Sequence, residues 1–328
     1  MAESEFLGAV GEFGRRPPGP GSRWAGSPDR APLRVVDIHL FLGMAIPPRE
    51  VLLSPWLLGQ SLNMIYGKRG TGKTYLALSL AYAVAAGGEL LGWKCSRPRK
   101  VLYLDGEMLS GALQERLAAV AAGSETEPAP GMLNVVTPDL QQGFMPDLAT
   151  IGGQAALAEV MPDDTGLIVV DSLSSLVRGE GRENEAESWL PVASWALAQR
   201  VAGRSVIFLH HAGKDGQQRG TSKREDVLDA VLALRPPADG GASGPARFEI
   251  HIEKSRALCA EFQPLDARLE AVDGGGVRWA YSPLQQSLAA RVRELADAGM
   301  PKRDIAEELR VNRSTVYRIL ARSEARGG

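Results

Sequence analysis

The stretch IYGKRGTGKTYLAL (Ile65–Leu78) joins an apolar run to a helix-forming run through a glycine-rich loop. Its centre, Gly67, Lys68, Arg69, Gly70, Thr71, Gly72, Lys73 and Thr74, matches GxxxxGKS/T in full. Glycines here let the backbone wrap phosphates with its N–H groups, and the N-terminus of the following helix adds positive potential. Lys73 is placed to reach the β and γ phosphates of ATP, and the Thr74 hydroxyl to ligate Mg2+. The competing reading is a glycine-rich turn with no ligand. The strand before the loop and the helix after it favour a nucleotide site.

Outward from the loop, short apolar runs alternate with helical patterns from about residue 34 to 283. The runs LNMIY, KVLYLD, MLNVV, GLIVVD and SVIFLH are rich in Leu or β-branched residues and predict strands. Between them lie helical stretches such as KTYLALSLAYAVAAG and SWLPVASWALAQRVAG. This alternation predicts an α/β domain with a mainly parallel sheet covered by helices on both faces. DAVLALR and ARFEIHIEK, either side of PPADGGASGP, read as an antiparallel extension at the sheet edge. Residues 11–32 are rich in Gly, Pro and Arg and read as a disordered tail. After YSPLQQ the pattern is purely helical. The expected division is a tail over 1–33, an α/β ATPase domain over 34–283, and a small all-α domain over 284–328.

Composition narrows the classes. The 328 residues are 44% apolar and 23% charged, the balance of a globular protein, and the net charge of −2 supplies no general attraction to nucleic acid. Cys95 and Cys259 are far apart with no metal-ligand spacing, which predicts neither a disulfide framework nor a zinc site and fits a reducing cytosol. The N-terminus lacks a signal-peptide pattern, and the most apolar run is broken by Gly87-Gly88-Glu89, so a buried helix explains it better than a membrane span. A cytoplasmic location is expected.

Acids at strand ends supply the next candidates. GLIVVDSL places Asp171 at the C-terminal end of a strand, where α/β sheets open their ligand crevice and a carboxylate can hold a magnesium shell. LYLDGEM ends a buried run on two acids, although an unpaired buried carboxylate costs several kcal/mol. If that strand neighbours the loop strand, Glu107 reaches the same crevice and can polarise the water that attacks the γ phosphate. Gly106 would let the chain bend, and Asp105 would support Glu107 or touch the magnesium shell. A helix N-cap is the plainer role for Glu107, one that Ser110 already fills. SVIFLHHAGK ends another strand with His210 and His211, of which only one can face the site. That histidine could contact the γ phosphate; a satisfied strand-end pair is the alternative.

In this order the pieces resemble the RecA-type P-loop ATPases, specifically the RepA-like replicative helicases related to DnaB. The resemblance runs from about Ile46 to Ala280 and rests on the glycine loop, VLYLDGEM, GLIVVDSL, FLHHAGK and RGTSKREDVLD. It implies that Glu107 activates water, that His210 or His211 senses the γ phosphate, and that subunits form a ring around DNA, a homo-oligomer taken here as a hexamer. It also implies a neighbour's arginine at each ATP. IHIEKSRAL offers Lys254 and Arg256, which continue the parity of Ile250 and Ile252 along one strand face. Snorkelling surface cations are the alternative for this pair. Where some relatives carry the finger, after RGTS, this chain has Asp226 and Asp229. In a ring, Lys214, Arg219, Lys223 and Arg224 would face the channel and grip single-stranded DNA, joined by Arg178 and Arg182. A solvated loop is the competing reading.

KRDIAEELRVNRSTVYRILAR reads as a helix-turn-helix. Ile305, Ala306 and Leu309 face Val316, Ile319 and Leu320, with Asn312 or Ser314 capping the second helix. Arg313, Ser314, Thr315, Tyr317, Arg318 and Arg322 are left outward for phosphate and base contacts on duplex DNA. It resembles the helix-turn-helix of resolvase-type and regulator proteins; a protein-binding three-helix module is the alternative. The expected whole is a DNA-associated ATPase, a ring-forming helicase acting in plasmid, phage or mobile-element replication. An ATP-switched regulator or recombination accessory is the second reading, and a small-molecule kinase the third.

Overall fold

Two short strands, β1 (Val51–Leu53) and β2 (Leu57–Leu58), pair antiparallel and lead into β3 (Leu62–Gly67), every residue of which is buried. The protein is seen in a computed structural model that describes residues 34–178, 185–213, 226–237, 245–256, 262–284, 288, 291–292, 295–296 and 298–324. After β3 the helix Lys73–Ala86 crosses to a second hairpin, β4 (Glu89–Leu90) with β5 (Trp93–Lys94). Then follow β6 (Lys100–Asp105), β7 (Leu133–Val136), β8 (Thr165–Asp171), β9 (Ser205–His211), β10 (Ala230–Arg235), β11 (Ala246–Ser255), β12 (Leu265–Val272) and β13 (Gly276–Pro283). Nine of these form one sheet in the order β13-β12-β11-β10-β3-β9-β8-β6-β7.

From β7 to β10 all neighbours are parallel; from β10 to β13 all are antiparallel. The run DAVLALR is therefore the last parallel strand, paired with β3, and the antiparallel extension begins only at β11. β12 and β13 are additional strands with their own signal: Leu265, Ala267 and Leu269 are buried at every second position, before a turn with Gly274 and Gly275 at φ of 86° and 80°.

Alternation divides the core into two layers. Ile65, Val101, Tyr103, Leu167, Val169, Ile207 and Leu209 pack with the helix Lys73–Ala86. Met64, Leu102, Leu104, Ile168, Val170, Val206 and Phe208 face Trp189, Val192 and Ala196 of the helix Glu185–Val201. The helix Lys73–Ala86 is apolar on every side because it is covered on every side. The β12–β13 hairpin curls back over it, where Trp279 Nε1 donates to Ser79 Oγ at 2.9 Å and the Trp279 ring lies 5.2 Å from Phe248. Ala246 presses on Gly72, which has φ of 99° and no room for a Cβ, so the extension also braces the glycine loop. Each fully buried Leu of this helix contributes about 1.5–3 kcal/mol of burial.

A separate apolar cluster of Val292, Ile305, Ala306, Leu309 and Val316 holds the helices Lys302–Glu308 and Arg313–Glu324 together. Among the described residues, no helix is long and apolar enough to cross a membrane.

Candidate functional site

The loop Gly67–Thr74 leaves β3 at the C-terminal end of the parallel strands, next to the ends of β9 and β8. Gly70 and Gly72 hold φ of 75° and 99°, a backbone region that side-chained residues rarely adopt. Lys73 starts the helix with its side chain folded into the loop, where Nζ donates to Gly67 O at 2.9 Å and Lys68 O at 2.8 Å. It is 6% exposed, and burial pushes its pKa down to about 8, against the pull of Asp171 and Glu107. A buried ammonium that bonds, among the described residues, to neutral carbonyls fits a polyphosphate that would neutralise it. Lys68, Arg69 and Gly70 remain exposed along the loop, with Thr71 half-buried and its N–H on Lys68 O.

Asp171 ends β8 directly in register with Asp105 on β6. Its Oδ2 accepts from Tyr103 Oη at 2.7 Å, and its carboxylate also accepts from Thr74. Burial raises its pKa to about 6, with the charges of Asp105 and Glu107 adding to the rise and the two hydroxyl donors opposing it. Thr74 and Asp171 thus form a hydroxyl–carboxylate pair of hard oxygen ligands, the donor set Mg2+ takes when phosphates and water complete its shell. If Mg2+ and a nucleotide were bound here, Thr74 and Asp171 would hold the ion, which would supply neutralisation of phosphate charge.

Asp105 has a supporting role. Its carboxylate accepts from the N–H groups of Glu107 at 3.3 Å and Met108 at 3.2 Å, and from Thr137 Oγ1 at 3.0 Å, so it shapes the turn that presents Glu107. Gly106 is required by close approach, since a Cβ would run into Ser175 and Leu176. Glu107 Oε1 accepts from Ser172 Oγ and lies 3.6 Å from His211 Nε2. Ser110 is not the cap of the next helix: Leu109 holds that position, and Ser110 N donates to Asp139 Oδ2 at 2.8 Å.

The two histidines separate as strand alternation demands. His211, in register with Gly67, faces the loop and Glu107, and burial together with Lys73 lowers its pKa. His210, in register with Tyr66, is 5% exposed and shares the opposite parity with Val206 and Phe208. One residue that no local pattern flags also reaches this region: Arg116 places its guanidinium 5.0 Å over the ring of Tyr75, the residue after Thr74. Tyr103 and Ser172 likewise carry no local signal, although Tyr103 shares strand parity with Asp105 and Ser172 follows Asp171 directly.

Lys254 and Arg256 do not join this site. Lys254 is in register with Val231, and Arg256 N donates to Asp229 O at 2.8 Å, roughly 10 Å and 17 Å respectively along the sheet from the level of Gly67. The expected parity also fails, because a register shift between Ile252 and Lys254 interrupts the strand face. Lys214, Arg219, Lys223, Arg224 and Arg182 lie outside the described residues. Arg178 is engaged locally, its N–H on Asp147 Oδ1 at 3.0 Å and its guanidinium on Met145 O.

In the helix-turn-helix, Asn312 is the cap, accepting Ser314 N at 3.1 Å. Arg313, Ser314, Tyr317 and Arg318 are exposed and Thr315 half-buried; the side chain of Arg322 lies outside the described residues. Lys302 Nζ sits 5.0 Å over the Tyr317 ring and joins the two helices on their outer face.

A glycine loop at the end of a central parallel strand, a buried lysine and a threonine opening the next helix, and an acid on a nearby strand end define a P-loop ATPase domain. The AAA domain family model matches residues 27–217, more than half of the chain, and the protein belongs to that family. The helix-turn-helix domain of resolvase matches residues 282–323. Among solved structures the chain is similar to the RadB recombinase, at 19% identity and a TM-score of 0.45, over 67% of this chain and 90% of that one. A KaiC-like protein from Pyrococcus horikoshii is similar at 16% identity and a TM-score of 0.46, over 70% and 93%.

Proposed function

We propose that this protein hydrolyses ATP with Mg2+ and couples the turnover to DNA, as a ring-forming helicase of the RepA-like type. The observation that carries the reading is the convergence of Lys73, Thr74, Asp171, Glu107 and His211 on one edge of the sheet. In this scheme Lys73 grips the phosphates, Thr74 and Asp171 hold the metal, Glu107 takes a proton from the attacking water, and His211 lies where the γ phosphate would be sensed. Lys254 and Arg256, distant from their own chain's loop, would serve a neighbouring subunit in a homo-oligomer such as a hexamer. Lys214, Arg219, Lys223 and Arg224 would line the channel for single strands. Arg313, Ser314, Thr315, Tyr317, Arg318 and Arg322 would contact duplex DNA. The working division is a tail over 1–33, an ATPase unit over 34–283 and a DNA-binding unit over 284–328, in a cytoplasmic protein.

The decisive experiment measures ATP hydrolysis with and without single-stranded DNA, for the whole chain and for one ending at Pro283, together with displacement of a forked duplex. DNA-stimulated turnover with strand displacement is expected. The resolvase-type helix-turn-helix favours one second reading, an ATP-switched regulator or recombination accessory, which would hydrolyse ATP and leave the fork intact. Turnover indifferent to DNA would sink both. Lys73→Ala is expected to weaken ATP binding by about 30- to 1,000-fold, the scale of removing a buried charge partner. Glu107→Gln should lower turnover by about 10²–10⁴-fold while ATP still binds, as for loss of a general base.

A further inference from the structure

Ser172 is 1% exposed at the junction between β8 and the short helix Leu173–Leu176. It caps that helix through bonds with Ser175, whose Oγ accepts from Ser172 N at 3.2 Å and donates to Ser172 O at 2.9 Å, and its own Oγ lies 3.0 Å from Ser174 Oγ. A hydroxyl has one proton and two lone pairs. The Glu107 carboxylate only accepts, so the Ser172 proton is directed at Glu107 Oε1, and the Ser174 hydroxyl donates to the Ser172 oxygen. His211 Nε2 approaches the same carboxylate oxygen, at 3.6 Å. Both restraints act on Oε1, and the side chain of Glu107 remains 45% exposed.

We infer that Ser172 is a positioning residue for hydrolysis: it holds Glu107 by Oε1 and so presents Oε2 to the water that attacks the γ phosphate. The inference rests on the proposed role of Glu107. In the step, the water oxygen bonds to the γ phosphorus and the β–γ bridging oxygen departs on ADP. The water proton passes to Oε2 and later leaves with the phosphate product. Because β8 ends on Asp171 and Ser172 follows it, one strand end sets both the metal contact and the anchor of the base.

A cap needs none of this, so the test separates the two roles. Ser172→Ala removes the hydroxyl bond to Glu107, whereas Ser175→Ala weakens the same cap and leaves that bond in place. Glycine is tolerated at an N-cap far better than alanine, so Ser172→Gly serves if Ser172→Ala folds poorly. The expected result is a kcat about 10- to 100-fold lower for Ser172→Ala or Ser172→Gly, from loss of a hydrogen bond to a charged group, with KM for ATP within about two-fold. Ser175→Ala should keep the kcat of the unaltered protein. In a Glu107→Gln background, Ser172→Ala should cause no further loss of residual turnover. Equal losses for the Ser172 and Ser175 variants, or a Ser172→Ala cost that persists beside Glu107→Gln, would overturn the inference. An inactive Glu107→Gln beside a fully active Ser172→Ala overturns this inference alone. A fully active Glu107→Gln overturns the assigned role of Glu107 and this inference with it.

Discussion

Two buried aspartates stand at opposite ends of the same sheet, and they are treated differently. Asp229, at the start of β10, is closed off on every side: Arg49 Nη1 donates to Oδ1 at 3.0 Å, Leu62 N donates to Oδ2 at 3.0 Å, and Arg200 Nη1 lies 3.9 Å away. Asp171, at the end of β8, is hydrogen-bonded by hydroxyl donors and stands beside two further acids; Lys73 attracts it without bonding to it, and burial lifts its pKa to about 6. A carboxylate that only supports the fold is neutralised where it stands. Among the described residues Asp171 has no ion-pair partner of that kind, and burial makes its environment resist ionisation, as suits a carboxylate proposed to meet a cation.

The contrast can be broken by substitution. Asp229→Ala should cost about 3–5 kcal/mol of stability, because it strands the two guanidinium groups and the Leu62 N–H. Denaturant unfolding would show this; a change under about 1 kcal/mol would mean that Asp229 is no structural keystone. Asp171→Asn should act in the opposite direction on the metal-free protein. Between the unfolded value near 3.8 and the folded value of about 6, the native state binds the extra proton, so stability falls as pH rises through that window. The accumulated penalty is about 3 kcal/mol at neutral pH. Asparagine removes it, so the midpoints measured from pH 4 to 7 in chelator should flatten, while Mg2+-dependent nucleotide binding is lost. A variant as pH-dependent as the parent would refute the assignment.

Lys73 sharpens the comparison from the cationic side. With its pKa at about 8 in the nucleotide-free protein, it is charged below that pH and neutral above it. Phosphates favour the ammonium form, so above pH 8 binding must take up a proton, and ATP affinity should fall by up to about ten-fold per pH unit. Calorimetry in buffers of different ionisation enthalpy would measure the uptake directly, and none at pH 9 would contradict it. The smallest effect belongs to Arg200→Ala: at 3.9 Å and about a third exposed, its partnership with Asp229 should be worth under about 1 kcal/mol.

Much of the candidate site was legible because its parts are short and local. A glycine loop announces itself by the backbone angles it needs, and an apolar run that stops on an acid announces a strand end that faces something polar. Asp105, Glu107, Asp171 and the histidine pair were all found by that rule. Ser172 and Tyr103 were not, since a serine after an aspartate and a tyrosine in a strand are ordinary until their neighbours across the sheet are known. The Arg49–Asp229 contact spans 180 positions and has no sequence signature at all. The β12–β13 hairpin escaped for another reason: its strands carry Arg and Glu on one side, so their apolar alternation is diluted.

Residue order alone determined that this chain has a phosphate-binding loop, a parallel strand–helix core and a C-terminal helix pair, because each follows from periods and spacings within some twenty positions. It also required that His210 and His211 point to opposite faces. Which of them meets Glu107 was decided only by the tertiary structure, since alternation sets relative direction and the packing of two different helical layers sets which face holds the loop. The same holds for Lys254 and Arg256, whose place at the far end of the sheet depends on the register of β11 against β10, a long-range pairing that no local run of residues encodes.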